Sequence, residues 1–251
     1  MLRASVSGST MARMTSLIVI RHGETDWNRQ HRFQGQIDVP LNAMGLEQAR
    51  RMGQRLAEEP VDLIVVSDLL RARQTAQALV DARLSGPAMQ IEPLWREQGF
   101  GVLEGLDVPT IRARHADLWA QWQRHDAGYA LPQGGESNQA FHARVMQALQ
   151  ALLAAHAGAR VALVTHGGVL DMLWRSALEL PLSGPRECEI PNTGINRLRW
   201  SEDRLQIVQW ADACHLEGLP SQPSTVQTRL PVAGDGTLRP VARSSTGVSE
   251  A

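Results

Sequence analysis

Three short apolar stretches punctuate the chain, and each one runs into a polar cluster. Leu17-Ile18-Val19-Ile20 leads into Arg21-His22-Gly23, Val61 to Val66 into Ser67-Asp68, and Val161 to Thr165 into His166-Gly167-Gly168. Apolar, β-branched runs of this length predict strands of a parallel sheet, buried on both faces. Met89 to Leu94 predicts a further short strand. Between these runs the period changes to that of helices. Asn42 caps one that extends to about Glu58, and a second begins at Leu69 behind Ser67 or Asp68 as cap. Helix-period stretches follow from about Val108 to His125, from Ser137 to about Ala157, and from Val169 to about Leu180. Glu189 to Trp200 and Arg204 to Trp210 alternate as strands around a Ser201-Glu202-Asp203 hairpin turn.

Strands alternating with helices predict an α/β fold: a three-layer α/β/α sandwich with a mostly parallel central sheet. One domain is expected, from 16 to 217. Residues 1–15 read as a disordered extension, with Met11 and Met14 as alternative starts, and 218–251 as a disordered tail rich in Pro, Ser, Thr and Gly. Three segments carry loop chemistry: Trp27 to Leu41, Trp95 to Gly105 and Leu131 to Ser137.

Composition narrows the function classes. At a net charge of -1 over 251 residues, no long-range field favours nucleic acid or an anionic membrane. Every Lys+Arg position is Arg, which excludes Schiff-base chemistry and a Lys-bearing phosphate loop. The two cysteines lack metal-ligand spacing and are too few for a disulfide scaffold, so a cytoplasmic setting is expected. No apolar run is long enough to span a bilayer.

In open α/β sheets ligands bind outside the carboxyl ends of the strands. Here those ends carry Arg21-His22, Ser67…Arg71 and His166-Gly167. Arginines give permanent, bidentate contacts to phosphate oxygens, and glycines at a helix amino end let the backbone approach an anion. A neutral His between two guanidinium groups is a competent phosphoryl acceptor, its pKa pushed down by their charge.

These residues resemble the histidine phosphatase superfamily, which includes cofactor-dependent phosphoglycerate mutases. The resemblance rests on Arg21-His22-Gly23-Glu24-Thr25, on Arg32-Phe33-Gln34-Gly35 with Asp38, Pro40 and Leu41, on Ser67-Asp68-Leu69 with Arg71-Ala72 and Thr75-Ala76, on Gly135-Glu136-Ser137 and on Thr165-His166-Gly167-Gly168. It implies that His22 takes the phosphoryl group and that Arg21, Arg71 and His166 hold its oxygens, with Asn28 and the Gly167 amide assisting. Glu97 corresponds to the family's proton donor, and Gln34 and Gly35 to a loop that meets the rest of the substrate. No metal or other cofactor is implied, and the expected partner is a small phosphorylated metabolite, bound by a monomer or homodimer.

Other readings stand beside these. Glu104 shares the glycine-rich segment with Glu97 and is the alternative acid. His31, His115, His125, His142 and His156 read as surface residues. Cys214-His215 is a metal pair without a third ligand. Within the family, mutases carry a longer insertion than the stretch Leu106 to Gln133 and tend to have Thr where this chain has Gln34, so a phosphatase is the expectation. A mutase with its tail folded over the site is the alternative, and a non-catalytic phosphoryl-binding module the second.

Overall fold

The structure, a computed structural model, describes residues 14–223. The elements in chain order are β1 (Thr15–Arg21), α1 (Asp26–Arg29), α2 (Ala43–Leu56), β2 (Leu63–Val66), α3 (Leu70–Asp81), β3 (Met89–Ile91), α4 (Val108–Arg114), α5 (Ala116–Trp122), α6 (Asn138–Ala155), β4 (Arg160–Thr165), α7 (Gly167–Ala177), β5 (Ile195–Ser201) and β6 (Arg204–Asp212). The six strands form one sheet in the order β3-β2-β4-β1-β5-β6. Strands β1 to β4 are mutually parallel, and β5 and β6 add an antiparallel edge. The hairpin between β5 and β6 turns at Glu202 and Asp203, both left-handed at φ 53° and 56°, which matches the twist of the flanking strands.

Alternation along β1 builds the layers. Leu17 and Val19 enter one core with Phe141, Val145 and Leu149 of α6 and Val169, Leu170 and Leu173 of α7. Ile18 and Ile20 enter another with Met52 and Leu56 of α2 and Ala72, Ala76 and Leu79 of α3. The sheet is therefore covered by helices on both faces, as its apolar strands require. A third cluster, with Phe33, Phe100, Leu103, Ile111, Trp119 and Leu131, gathers the three irregular segments and α4–α5. The register pairs Arg21 with Thr165 across β1–β4 and Val66 with Val164 across β2–β4. That register sets the polar ends of β1, β4 and β2 side by side.

Several expectations need correction. The helical stretch from Val108 to His125 is two helices, broken at His115, whose φ/ψ of -136°/43° is not helical. The break leaves the apolar positions on one side, where Trp119 and Trp122 stack at 5.2 Å and meet Phe33 edge-on at 6.3 and 5.2 Å. Neither Ser67 nor Asp68 caps α3. Its N-cap is Leu69, without a side-chain cap bond, and Asp38 from the first long loop accepts the Leu70 amide at 2.5 Å. Ser67 is engaged with His166, and Asp68 forms an ion pair with Arg96. The strand predicted from Glu189 begins only at Ile195.

The expected disorder of 1–13 and 224–251 lies outside the described residues. Residues 218–223, expected in the disordered tail, follow a defined path. Gln222 exchanges two hydrogen bonds with the Asn192 backbone at 2.6 and 3.0 Å, and Pro223 reaches the cavity described next.

Candidate active site

The polar ends of β1 and β4, with α3 and the loops, enclose a cavity lined by Arg21, His22, Asn28, Gln34, Gly35, Arg71, Glu97 and Gly167. The sequence-predicted residues thus converge, with one exception. His166 is fully buried and lies behind His22, their ring centroids 5.3 Å apart. Its Nε2 faces Ser67 Oγ at 2.8 Å, while Nδ1 has no partner among the described residues.

His22 is held by the strand-end backbone. Its amide donates to Thr165 O at 2.8 Å, and Asn192 Nδ2 donates to its carbonyl at 2.9 Å. In the ring, Nδ1 lies 2.7 Å from Gly23 O. A carbonyl only accepts, so Nδ1 carries the proton and the Nε2 lone pair is left available. The Gly23 amide donates to Thr75 Oγ1 at 2.9 Å, and that hydroxyl donates to Arg71 O at 2.7 Å. This chain of bonds ties the end of β1 to the first turns of α3.

Both arginines are fixed through carbonyls, which orients each guanidinium without neutralising it. Arg21 Nη1 donates to Ile190 O at 2.7 Å, and Arg71 donates to Ile37 O and Gly35 O at 2.9 and 2.7 Å. Gly35 adopts φ +50°, a backbone conformation that favours glycine, and this presents its carbonyl to Arg71. Thr25 and Asn28 form a capping box on α1. In it Asn28 Oδ1 accepts from the Thr25 amide and hydroxyl at 3.0 and 3.1 Å, so its amide donors remain for the cavity. Gln34 Oε1 is buried without a partner among the described residues.

Glu97 sits on the amino end of α7. Both its oxygens lie 3.1 Å from Gly168 N, and Oε1 also accepts from Gln98 N at 2.9 Å. Glu104 is committed elsewhere. Its Oε1 accepts from Gln36 N and Phe100 N at 3.1 and 2.8 Å and so joins two loops, and Glu104 is not part of the cavity wall.

Burial is the largest influence on the His22 pKa, with Arg71 and Arg21 adding to it, and together they hold it well below the usual histidine range. The charge of the two arginines, which the sequence alone suggests as the cause, comes second to burial. His166 shifts the same way for the same reasons. Burial lowers Arg21 and Arg71 to about 10, which leaves both cationic at neutral pH. The centre therefore pairs neutral imidazole with fixed positive charge, an arrangement suited to an anion that must be attacked.

Trp27, Arg32, Phe33, Phe100, Arg186 and Pro223 also line the cavity, beyond the site residues the sequence suggests. Arg186, in the loop after α7, is 7% exposed and approaches Gly167 from the side of Arg21. It follows Gly184-Pro185 in a loop without strand-end or helix-period pattern, so no sequence signal marked it. Of the histidines expected at the surface only His31 is exposed: His115 and His156 are half-buried, His142 is half-buried with Nε2 2.9 Å from Ser176 Oγ, and His125 is half-buried beside Trp122 in a second cavity. His215 faces Thr193 Oγ1 at 3.2 Å. Among the described residues no group of three or more His, Cys, Asp or Glu is arranged to hold a metal ion. No helix there is long and apolar enough to cross a membrane.

The chain is similar to known proteins in sequence and in fold. The chain is 34% identical over 203 residues to phosphoglycerate mutase-like protein 4 of Arabidopsis thaliana, covering 80% of this chain and 86% of that one. It is 32% identical over 209 residues to the probable phosphoglycerate mutase GpmB of Yersinia pestis (strain Pestoides F), covering 81% and 96%. Among solved structures, YhfR of Bacillus stearothermophilus superposes with a TM-score of 0.73 at 30% identity, over 81% of this chain and all of that one. A mycobacterial glucosyl-3-phosphoglycerate phosphatase superposes with a TM-score of 0.67 at 31% identity, over 79% and 99%. The sequence signature of the histidine phosphatase superfamily (branch 1) matches residues 17–213, and the chain belongs to that family.

Proposed function

We propose that this protein hydrolyses a small phosphomonoester through a phosphohistidine on His22. The observation that carries the reading is the His22 tautomer: with Nδ1–H bound to Gly23 O, the Nε2 lone pair is free in a cavity that Arg21 and Arg71 also line. In the first step Nε2 forms a bond to phosphorus as the P–O bond to the leaving group breaks. The equatorial oxygens rest on Arg21, Arg71, Asn28 and the Gly167 amide, which stabilise the charge of the transition state. Glu97, as the acid, gives its proton to the departing alkoxide. In the second step water attacks phosphorus, Glu97 takes a proton from it, and the N–P bond breaks to release phosphate and restore His22. His166, behind the nucleophile, supports the His22 ring, and its unpartnered Nδ1 is a further polar contact for the centre. The arginines do the neutralising that a metal does elsewhere, so no cofactor is required. The free thiols Cys188 and Cys214 fit a cytoplasmic setting.

A mutase is the second reading, favoured by the names of the two sequence relatives. A mutase must return the phosphoryl group to a bound intermediate and exclude water. The compact segment between the acid loop and α6, with two short helices, favours the phosphatase.

The test is phosphate release from a panel of phosphomonoesters with EDTA throughout, comparing the wild type with His22→Ala. Adding 2,3-bisphosphoglycerate to the 3-phosphoglycerate reaction reads isomerisation. Metal-independent release that the variant lacks supports the phosphatase. Isomerisation without release supports the mutase, and loss of neither activity in His22→Ala overturns both.

A further inference from the structure

The site described above makes no use of the Gly135-Glu136-Ser137 motif. Its outer members have local roles. Ser137 caps α6, its hydroxyl accepting from Ala140 N at 3.1 Å, and a Cβ on Gly135 would lie 2.5 Å from Leu131 O. Glu136 instead reaches the segment that carries Glu97. Its Oε2 accepts from Gly99 N at 2.8 Å, and its own amide donates to Gly99 O at 2.8 Å. The same carboxylate takes a two-pronged contact from Arg144 of α6, Nε to Oε1 at 2.8 Å and Nη2 to Oε2 at 2.6 Å.

Arg144 completes the hold. Its Nη1 donates to Leu94 O and Arg96 O at 2.8 and 3.0 Å, and its Nη2 donates to Glu97 O at 3.1 Å. A guanidinium has five N–H donors, and here all five are engaged. Strand β3 ends at Ile91, so no ladder of the sheet holds these three carbonyls, and Arg144 takes its place. The Arg144 and Glu136 side chains are 17% and 21% exposed, which spares the pair most of the solvent screening that weakens ion pairs at the surface. Helix α6 also backs the other end of Glu97. The Arg144 guanidinium lies 4.9 Å from the centre of the Phe141 ring, and that ring stands behind Gly168, whose amide seats the Glu97 carboxylate. One turn of α6 therefore touches both the backbone of Glu97 and the wall behind its seat.

We propose that Glu136 and Arg144 are positioning residues for proton transfer: together they fix the backbone of Glu97 so that its carboxyl stays on the Gly168 amide at the edge of the cavity. Neither belongs to the wall of the cavity around His22, so they act through Glu97 and not on the phosphoryl group. This rests on the phosphatase reading, with Glu97 as the acid, and deepens it.

The test compares glycerol 3-phosphate, whose alkoxide leaving group needs a proton, with p-nitrophenyl phosphate, whose leaving group does not. In Glu136→Ala and Arg144→Met, kcat/KM for glycerol 3-phosphate should fall by about ten- to a hundredfold, a large part of what a general acid contributes. For p-nitrophenyl phosphate, and for inhibition by inorganic phosphate, the change should be less than about threefold. Glu136→Gln keeps an acceptor for Gly99 N and should recover part of the loss; it carries the same comparison if the truncated variants do not fold. A pair that serves only the fold would lower the melting temperature and both activities alike. Equal losses for the two substrates, or no loss for glycerol 3-phosphate, overturn the proposal. If the wild type hydrolyses neither substrate, the phosphatase reading fails separately, and amide exchange tests the positioning alone. The Glu97 carboxylate holds both Gln98 N and Gly168 N, so exchange at these two should be about tenfold faster in Glu136→Gln, with Gly23 N, held by Thr75, unchanged. Unchanged exchange at Gln98 and Gly168, or equal acceleration at Gly23, overturns the proposal.

Discussion

Glu97 is seated on the backbone of Gly168, with each carboxyl oxygen 3.1 Å from the amide nitrogen. The seat requires a residue without a side chain. A Cβ built on Gly168 would overlap Glu97 Oε1 and lie 2.9 Å from the Phe141 ring. Gly168→Ala is therefore expected to displace Glu97, the proposed acid, while His22, Arg21 and Arg71 keep their own partners. Turnover of alkyl phosphates, whose leaving groups need a proton, should drop by about a hundredfold or more, and turnover of p-nitrophenyl phosphate much less. A comparison of the two substrate types in this variant checks it.

The two acids of the glycine-rich segment separate by the same measurement. Glu97→Gln should reproduce the leaving-group dependence of Gly168→Ala. Glu104→Ala removes the acceptor that joins the Gln36 and Phe100 amides, and so should loosen both loops and raise KM for every substrate without regard to leaving group. A dependence on leaving-group basicity in Glu104→Ala instead would transfer the acid role to it.

Asp38 is the unexpected cap of α3. Asp38→Ala should cost about 1 kcal/mol of stability, the usual effect of losing a helix cap. Because α3 carries Arg71, whose guanidinium is held by Ile37 O and Gly35 O, the same variant should weaken phosphate binding. Denaturant melts and inhibition by inorganic phosphate read the two effects apart.

The legibility of the sequence follows from the range of the forces involved. The strand ends and their Arg21, His22 and His166 could be read because apolar runs and glycine breaks are local signals. Converging on one cavity requires only that the sheet be parallel. The cap of α3 could not be read. The local rule offers Ser67 and Asp68, but His166 and Arg96, distant in sequence, engage both, and Asp38 comes in from another loop. The break at His115 is invisible for a related reason: two short helices in succession keep the same apolar face as one long one. Arg186 escaped because an unpatterned loop gives no hint that its one cation is buried.

Protonation sets the acid limit. In the folded chain His22 and His166 are held neutral, chiefly by burial, while in the unfolded chain both take up protons as the pH falls below about 6.5. The unfolded state then binds more protons, so stability is expected to fall as the pH drops below about 6.5, with no contribution from these groups above neutrality. If His22 is the nucleophile as proposed, it should stay unprotonated in the active enzyme at pH values where a free histidine is half protonated. The acid limb of kcat/KM for wild type should accordingly lie below about pH 6.5, and the melting temperatures of wild type and His22→Asn should run parallel above neutrality, with wild type losing stability more steeply as the pH falls below about 6.5.

The phosphoryl-enzyme is the most direct test of the role given to His22. Wild-type protein mixed with a substrate labelled in its phosphoryl group and quenched in alkali within the first turnovers should carry label on His22. The adduct should be stable to base and lost in acid, as a phosphoramidate is, and His22→Asn should carry none. Turnover by the wild type without such an adduct, or an adduct that persists in the variant, would contradict the account.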